Sequence, residues 1–489
     1  MRVERVIQKL KGKTIHVVGF AGTEGSAVVD FLVGRGVTSI TAHEMHTPGE
    51  FEDAYHRTHQ WLPAAERGAA AQRLLSYPIT YQWKDRYLAG IERAEVIFVP
   101  QSWFRHAHNA PLREVRERGV PFSSMTQLFF EVSPCPIIGV TGTNGKFTVA
   151  HLIHQMLRQS GFSAYFSGND RSHVPMLYYV DEIPPEAWLV LEISNRQLVG
   201  LPYSPHIAVV TNIAPHHLDD HGTMEAYIAT KRTIVAHQSP DDVAVLNADN
   251  PHTAAMAASA RHPYLFSRTR RLERGASVAD GHLVIAGNRI EQTVPLSVLQ
   301  VPGTHMLENA LAAALAASLA GASAPAIAHV LAEFRGLPYR FHLVAEVNGV
   351  RYIEDSLATN PAAASAAIAS LDRPFILIAG GARPNATPEE FAPMRDALER
   401  SPARAVLLIG RTAPQLARAF AGMRVPVEEV HTLEGAVKEA VARTRPGDAV
   451  LLSPGCESFD QFTDYRERGD RFADLVHALK ELPSSAGNI

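Results

Sequence analysis

The run Gly142-Thr143-Asn144-Gly145-Lys146 carries the most specific chemistry in the chain. Small residues there let backbone N–H groups approach phosphate oxygens, an opening helix adds partial positive charge, and the lysine reaches β- and γ-phosphates. The plainer alternative is a strand-to-helix turn that happens to contain two glycines. Phosphate loops usually place Ser or Thr directly after the lysine as an oxygen ligand for Mg²⁺. Here Phe147 stands in that place and Thr148 comes one residue late. Mg²⁺ is then held by other groups, or held poorly.

A second cluster is acidic and imidazole-rich. Glu192 closes an apolar run in Leu-Glu-Ile-Ser-Asn-Arg-Gln, where a carboxylate at a strand tip faces a ligand crevice. The segment Thr211-Asn212-Ile213-Ala214-Pro215-His216-His217-Leu218-Asp219-Asp220-His221 follows another apolar run. A glutamate and a histidine at neighbouring strand tips can share a divalent ion; a solvated strand-end charge is the alternative. His217 and His221 have i, i+4 spacing, but no preceding helix, no H-E-x-x-H and no cysteine cluster support zinc hydrolase chemistry. Lys231, on a predicted helix over 224–237, reads by itself as a solvated lysine. Near the start, Gly19-x-x-Gly22-x-x-Gly25 is not G-x-G-x-x-G, yet it follows a strand and precedes one ending in His43-Glu44. That suits a diphosphate at the helix start or, equally, a structural turn.

Three sections of alternating strands and helices position these groups. They begin at Thr14–Val18, at Pro136–Thr141 and near Pro338, where Asn348-Gly349 marks a hairpin. The pattern predicts an α/β chain of three domains with mostly parallel sheets, over residues 1–133, 134–337 and 338–489. A small β meander is expected over 271–301.

Composition limits the rest. The 489 residues carry 46 Lys+Arg and 50 Asp+Glu, a net charge of −4 with no basic excess to suit nucleic acid. No apolar run reaches the length of a membrane span, and the N-terminal stretch lacks a signal-peptide core. Two distant cysteines, Cys135 and Cys456, fit a reducing cytoplasm. The expectation is a cytoplasmic protein, with neither nucleic-acid nor membrane partners.

Over nearly its whole length the chain resembles the Mur ligases of peptidoglycan synthesis, most closely the branch that joins D-glutamate to UDP-N-acetylmuramoyl-L-alanine. The resemblance rests on GTNGK (142–146), LEISNRQL (191–198), TNIAPHHLD (211–219), the helix ending at Lys231, NADN (247–250), GTHMLEN (303–309), GLPYRF (336–341), EDSLATNP (354–361) and LLSPGCESFDQF (451–462). It implies a Rossmann-like first domain for the UDP-sugar, a P-loop ATPase-like central domain, and a Rossmann-like third domain for the amino acid. The implied reaction phosphorylates the substrate carboxylate with ATP, and the amine of glutamate then displaces phosphate. A monomer is expected.

The same resemblance assigns roles. Gly142, Thr143, Asn144, Gly145, Lys146, Thr148, Asn309, Arg340 and Asp355 fall at the ATP site. Glu192 and His217 fall at the Mg²⁺ ligands, and Lys231 at a lysine that CO₂ converts to a metal-binding carbamate. Lys146, His217 and Lys231 are the implied catalytic groups. Gly22, Thr23, His43, Glu44, Asn169 and Ser194 would meet the UDP-sugar, and Thr359, Arg383, Ser458, Phe459 and Tyr465 the glutamate. The departures also lie at ligand sites. Phe147 replaces Ser or Thr, His216 an Asp, Met306 an Asn and Leu357 a Lys. Ala382-Arg383-Pro384-Asn385 stands where a lysine is common, so Arg383 would supply the cation with different geometry. These changes keep open L-glutamate or another amino acid as the amine. They also keep open a nucleotide-binding protein with little ligase activity.

Overall fold

A computed structural model describes residues 2–169, 173–215, 218–287, 290–301, 303–383 and 386–481. The chain forms two compact units, Met1–Leu296 with Glu308–Val330, and Ser297–Leu307 with Leu331–Ile489.

The first unit holds two sheets. One has five strands, all parallel, in the order 80–82, 40–43, 15–18, 96–98, 122–123. Its central strand Ile15–Val18 is buried along its whole length, as a parallel strand covered on both faces must be. The other sheet has nine strands. Seven are joined by parallel pairings, with Ile137–Thr141 between Trp188–Glu192 and Ile207–Val210. The expected meander is present as Gly275–Ala279, His282–Gly287 and Ile290–Pro295, which extend that sheet, the last two pairings being antiparallel.

Parallel order brings the C-terminal ends of neighbouring strands together, and a doubly wound sheet binds ligands beyond those ends. Val140 pairs with Glu192 on one side and Val209 on the other. The tip that opens into the phosphate loop therefore lies between the tip carrying Glu192 and the one leading to Thr211. The helix Lys146–Gln159 buries Val149, Leu152, Ile153, Met156 and Leu157, the apolar spacing visible in the sequence.

The second unit is built on a six-stranded sheet. The hairpin His342–Val347 and Val350–Glu354 turns at Asn348, whose φ is 51°, and four further parallel strands follow. Asn360 caps the helix Pro361–Ala369 through its side chain, with Pro361 in the first turn.

Candidate functional site

The phosphate loop is closed from below by the strand tip beside it. Thr143 N–H donates to the Asn212 carbonyl at 2.8 Å, and Asn144 N–H to Asn212 Oδ1 at 3.0 Å. Thr211 Oγ1 donates to the Asn144 carbonyl at 2.6 Å. Gly145 caps the helix at φ 79°, and a Cβ there would sit 2.2 Å from Asn309 Oδ1. Only glycine admits Asn309 so close to the loop. Thr148 is buried in the first turn behind it.

Two lysines converge on this loop. Lys146 Nζ donates to the Thr143 carbonyl at 3.0 Å, and Lys231 Nζ to the Gly142 carbonyl at 2.9 Å. Lys231 is 1% exposed, on the helix Met224–Ala236, with its Nζ 4.9 Å from the centre of the Tyr227 ring. The solvated-lysine alternative is therefore wrong for this residue; the helix turns its buried face to the loop. Burial, then repulsion from Lys146, lowers its pKa to about 7. Tyr227, which sequence reasoning missed, shares a 3.1 Å hydrogen bond with Thr143 Oγ1.

Beyond the same strand ends lies a cavity of about 280 Å³, lined by Gly22, Thr23, Glu24, Gln101, Asn169 and Glu192 among others. Asn169 N–H donates to Glu192 Oε2 at 3.0 Å. Ser194 caps the short helix Asn195–Leu198 and donates from Oγ to Gln101 Oε1 at 2.7 Å. Glu24, in the first turn of Thr23–Val33, accepts Gln101 N–H at 2.7 Å, and burial raises its pKa to about 7. Sequence reasoning missed both: Glu24 fills a variable position of the first glycine cluster, and only the loop after Val96–Phe98 brings Gln101 across.

The His43-Glu44 pair is less open than expected. His43 is 0% exposed and sits 2.8 Å from His16 Nδ1 through its Nε2. Burial, then His16, lowers its pKa to about 3. Glu44 is also buried, and its carboxylate accepts N–H groups of Ala21, Met45 and His46. Both side chains are thus engaged within their own part of the fold. Gly22 and Thr23 do line the cavity, with Thr23 Oγ1 donating to the Thr58 carbonyl at 2.7 Å.

Phe147 turns its ring toward Phe166 and His173, at centroid distances of 5.3 and 5.2 Å. A Cβ on Gly168 would lie 2.8 Å from Phe147 Cε2 and 2.9 Å from His173 Nδ1, so the bare Cα of that glycine packs close against both rings. His217 and His216 lie outside the described residues, as do Pro384 and Asn385. His221 Nε2 accepts from Asn195 Nδ2 at 2.8 Å. Among the described residues no group of three or more His, Cys, Asp or Glu is arranged around a metal position.

Residues 140–317 match the family model of the Mur ligase middle domain, and residues 339–456 that of the Mur ligase, glutamate ligase domain. The UDP-N-acetylmuramoylalanine--D-glutamate ligase of Symbiobacterium thermophilum is 37% identical over 471 residues, covering 95% of this chain and 97% of its own. The enzyme of the same name from Pelotomaculum thermopropionicum is 37% identical over 479 residues, covering 96% and 98%. This chain belongs to the Mur ligase family.

The fold agrees. A solved UDP-N-acetylmuramoyl-L-alanyl-D-glutamate--2,6-diaminopimelate ligase superposes with a TM-score of 0.54 at 19% identity, over 91% of this chain and 94% of that one. A UDP-N-acetylmuramate-alanine ligase from Thermotoga maritima gives 0.53 at 18%, over 95% and 99%.

In the second unit of this Mur ligase, Asp355 directly follows the strand Val350–Glu354. It accepts Phe341 N–H at 3.1 Å and Ser453 Oγ–H at 2.8 Å. Arg340 is exposed and Thr359 half-buried. Ser458 is 1% exposed, and its Oγ has no hydrogen-bond partner among the described residues. Phe459 is 67% exposed, and Tyr465 meets Tyr339 edge to face at 5.7 Å. Arg383 is already spent in part, because its guanidinium binds Glu390 Oε2 at 2.8 Å. Arg468, missed in the sequence, is 0% exposed and donates to Ser356 Oγ and to the carbonyls of Ser356, Cys456 and Glu457. It cross-links the two segments that carry Thr359 and Ser458.

Proposed function

We propose that this Mur ligase joins glutamate, with D-glutamate the first candidate, to the carboxylate of UDP-N-acetylmuramoyl-L-alanine at the expense of ATP, in the cytoplasm. The carrying observation is the convergence of Lys146 and Lys231 on the carbonyls of Thr143 and Gly142. The relatives' printed activity and near full-length coverage support the substrate. We take residues 1–133 as the UDP-sugar domain, 134–337 as the ATP domain and 338–489 as the amino-acid domain.

The chemistry follows from charge. A carboxylate is a poor acyl donor, so its oxygen attacks the γ-phosphorus of ATP, the bond from that phosphorus to the β,γ-bridging oxygen breaks, and ADP departs to leave an acyl phosphate. The glutamate amine then attacks the acyl carbon, and phosphate departs with the C–O bond electrons. Lys146 would neutralise charge on the phosphate being transferred. Gly142–Gly145 would cradle the other phosphates, with Asn309 beside them. Glu192, with His217 and a carbamate on Lys231, would hold Mg²⁺, which would supply positive charge to offset that of the two anionic reactants.

The donor set fits that ion in part. Glu192 supplies a hard oxygen at the cavity wall, Phe147 supplies none, and Lys231 as an ammonium would repel the ion. Carbamylation (Lys-NH₂ + CO₂ giving Lys-NH-COO⁻ and a proton) reverses that sign, and a buried amine with lowered proton affinity has the neutral form it needs. In the second unit Ser458 Oγ is an unspent polar atom suited to a glutamate carboxylate, with Thr359, Tyr465 and Arg383. Because residue 357 and residues 383–385 depart from the family's usual pocket, L-glutamate is the second candidate. An ADP-release assay with UDP-N-acetylmuramoyl-L-alanine and a panel of amino acids tests the reading. Turnover with D-glutamate is expected, and no turnover with any amino acid would overturn it.

A further inference from the structure

We propose that a second cavity, at the edge of the five-stranded sheet, binds a nucleoside diphosphate at a site separate from the phosphate loop. The inference goes beyond the ligase reading and does not depend on it.

The cavity has about 370 Å³, within the range of small-ligand pockets. The helix Arg2–Leu10, the strands Val96–Phe98 and Phe122–Ser123 and the helix Met125–Val132 all contribute to its lining. The last of these helices carries walls of two cavities. Met125, Thr126 and Phe129 line the one that holds Glu192, while Gln127, Phe130 and Glu131 line this one, and the two share no lining residue.

The charge of the lining is one-sided. Arg2, Arg5 and Lys9 stand three and four residues apart, on one face of their helix, and Lys13 follows after the turn. These cations gather in a chain whose net charge is −4. Arg2 Nη1 donates to the Ser133 carbonyl at 3.0 Å, while Arg5, Lys9 and Lys13 form no ion pair among the described residues. Glu131, the carboxylate of the lining, is engaged elsewhere. Its Oε1 accepts Tyr203 Oη–H at 3.0 Å and a Gln127 Nε2 hydrogen at 3.2 Å.

A merely solvated basic helix needs no aromatic wall beside it. This one faces a recess that also contains Phe98, Phe122, Phe130 and Tyr203, with the last two rings 6.2 Å apart and inclined by only 13°. Arg and Lys give charge-assisted hydrogen bonds to phosphate oxygens, and aromatic faces stack on a base of any identity. A diphosphate brings the negative charge that Arg5, Lys9 and Lys13 lack. Inorganic phosphate alone would leave the apolar part of the recess against water, and a flat bilayer does not enter a recess lined by two helices and a sheet edge.

Calorimetry with ADP on the full chain at low salt tests this. Wild type is expected to take up two ADP per chain, one at the phosphate loop and one here. Arg5→Ser/Lys9→Ser should lose the second site alone, and Lys146→Ala the first alone. Wild type should hold ADP at the second site about tenfold more tightly than pyrophosphate. Tyr203→Leu should remove that advantage and leave pyrophosphate within about twofold. Melting curves of the variants within a few degrees of wild type separate these losses from misfolding. A single ADP site abolished by Lys146→Ala, a second site that survives Arg5→Ser/Lys9→Ser, or pyrophosphate bound as tightly as ADP overturns the proposal. So does binding to phosphatidylglycerol vesicles that Arg5→Ser/Lys9→Ser abolishes, in the absence of a second ADP site. Wild type with the second site but none at the phosphate loop would overturn the ligase reading and leave this proposal standing.

Discussion

Lys231 Nζ donates to the carbonyl oxygen of Gly142 at 2.9 Å, from a helix that begins more than eighty residues later in the chain. The bond places a buried amine under the loop expected to hold phosphate. Lys231→Ala should therefore lower turnover by at least about a hundredfold, the scale of losing a charge-stabilising group. Short carboxylates in the buffer should restore part of it if the working group is a carbamate. Carbon NMR with labelled bicarbonate should show a carbamate signal in wild type that is missing from the variant. No rescue and no signal would mean that Lys231 works as a cation.

Phe147 packs its ring on Phe166 and His173 while its backbone opens the phosphate-loop helix. Phe147→Ser removes that packing, at a cost of about 1–3 kcal/mol for a half-buried ring. It also adds a hydroxyl where phosphate loops place their metal ligand. Urea unfolding should show the lost stability, and calorimetry should show tighter Mg²⁺·ATP binding. Phe147→Leu should keep most of the stability without the gain in metal affinity. Unchanged nucleotide affinity in the serine variant would place residue 147 away from the metal.

Arg468 gives its guanidinium hydrogens to Ser356 Oγ and to the carbonyls of Ser356, Cys456 and Glu457. Burial lowers its pKa, to about 10, which still leaves it charged at neutral pH. Arg468→Met should cost about 3–5 kcal/mol, because it leaves buried carbonyls without donors. Chemical denaturation measures this, and Arg468→Lys should recover only a part, lacking the planar fork.

Glu354 and Asp355 are neighbours, both buried, and burial raises both pKa values, to about 8 and about 7. The folded state then binds more protons than the unfolded chain between about pH 4 and pH 8. Stability from these groups is fully present below the unfolded carboxylate pKa and is lost as pH rises toward 8. Glu354→Gln, which stays uncharged, should flatten that decline. Melting temperatures from pH 5 to pH 8.5 check it; an equal slope in the variant would remove Glu354 as a source.

Arg383 shares its guanidinium with Glu390 across 2.8 Å. If Arg383 holds the glutamate side-chain carboxylate, Glu390→Gln should lower the KM for glutamate several-fold by freeing the cation. Arg383→Ala should raise it about tenfold or more, with the KM for ATP unchanged. Steady-state kinetics with D- and L-glutamate in parallel would read both effects.

Much of the fold was legible because its signals are local. The strand Ile137–Thr141, the helix Lys146–Gln159 and the turn at Asn348-Gly349 each follow from a few adjacent residues, whose apolar spacing or turn chemistry leaves few options. The phosphate loop and the strand-tip glutamate were legible for the same reason.

What the sequence by itself determined is therefore the three runs of α/β alternation and the phosphate loop with its missing hydroxyl. Only the tertiary structure decided that Lys231 is buried beneath the loop, that His43 and Glu44 face inward, and that Gln101 reaches Asn169 and Ser194. Those outcomes depend on which strand ends become neighbours and how much water remains around each side chain. Spacing along a chain fixes neither, because burial and partner choice arise between segments tens of residues apart.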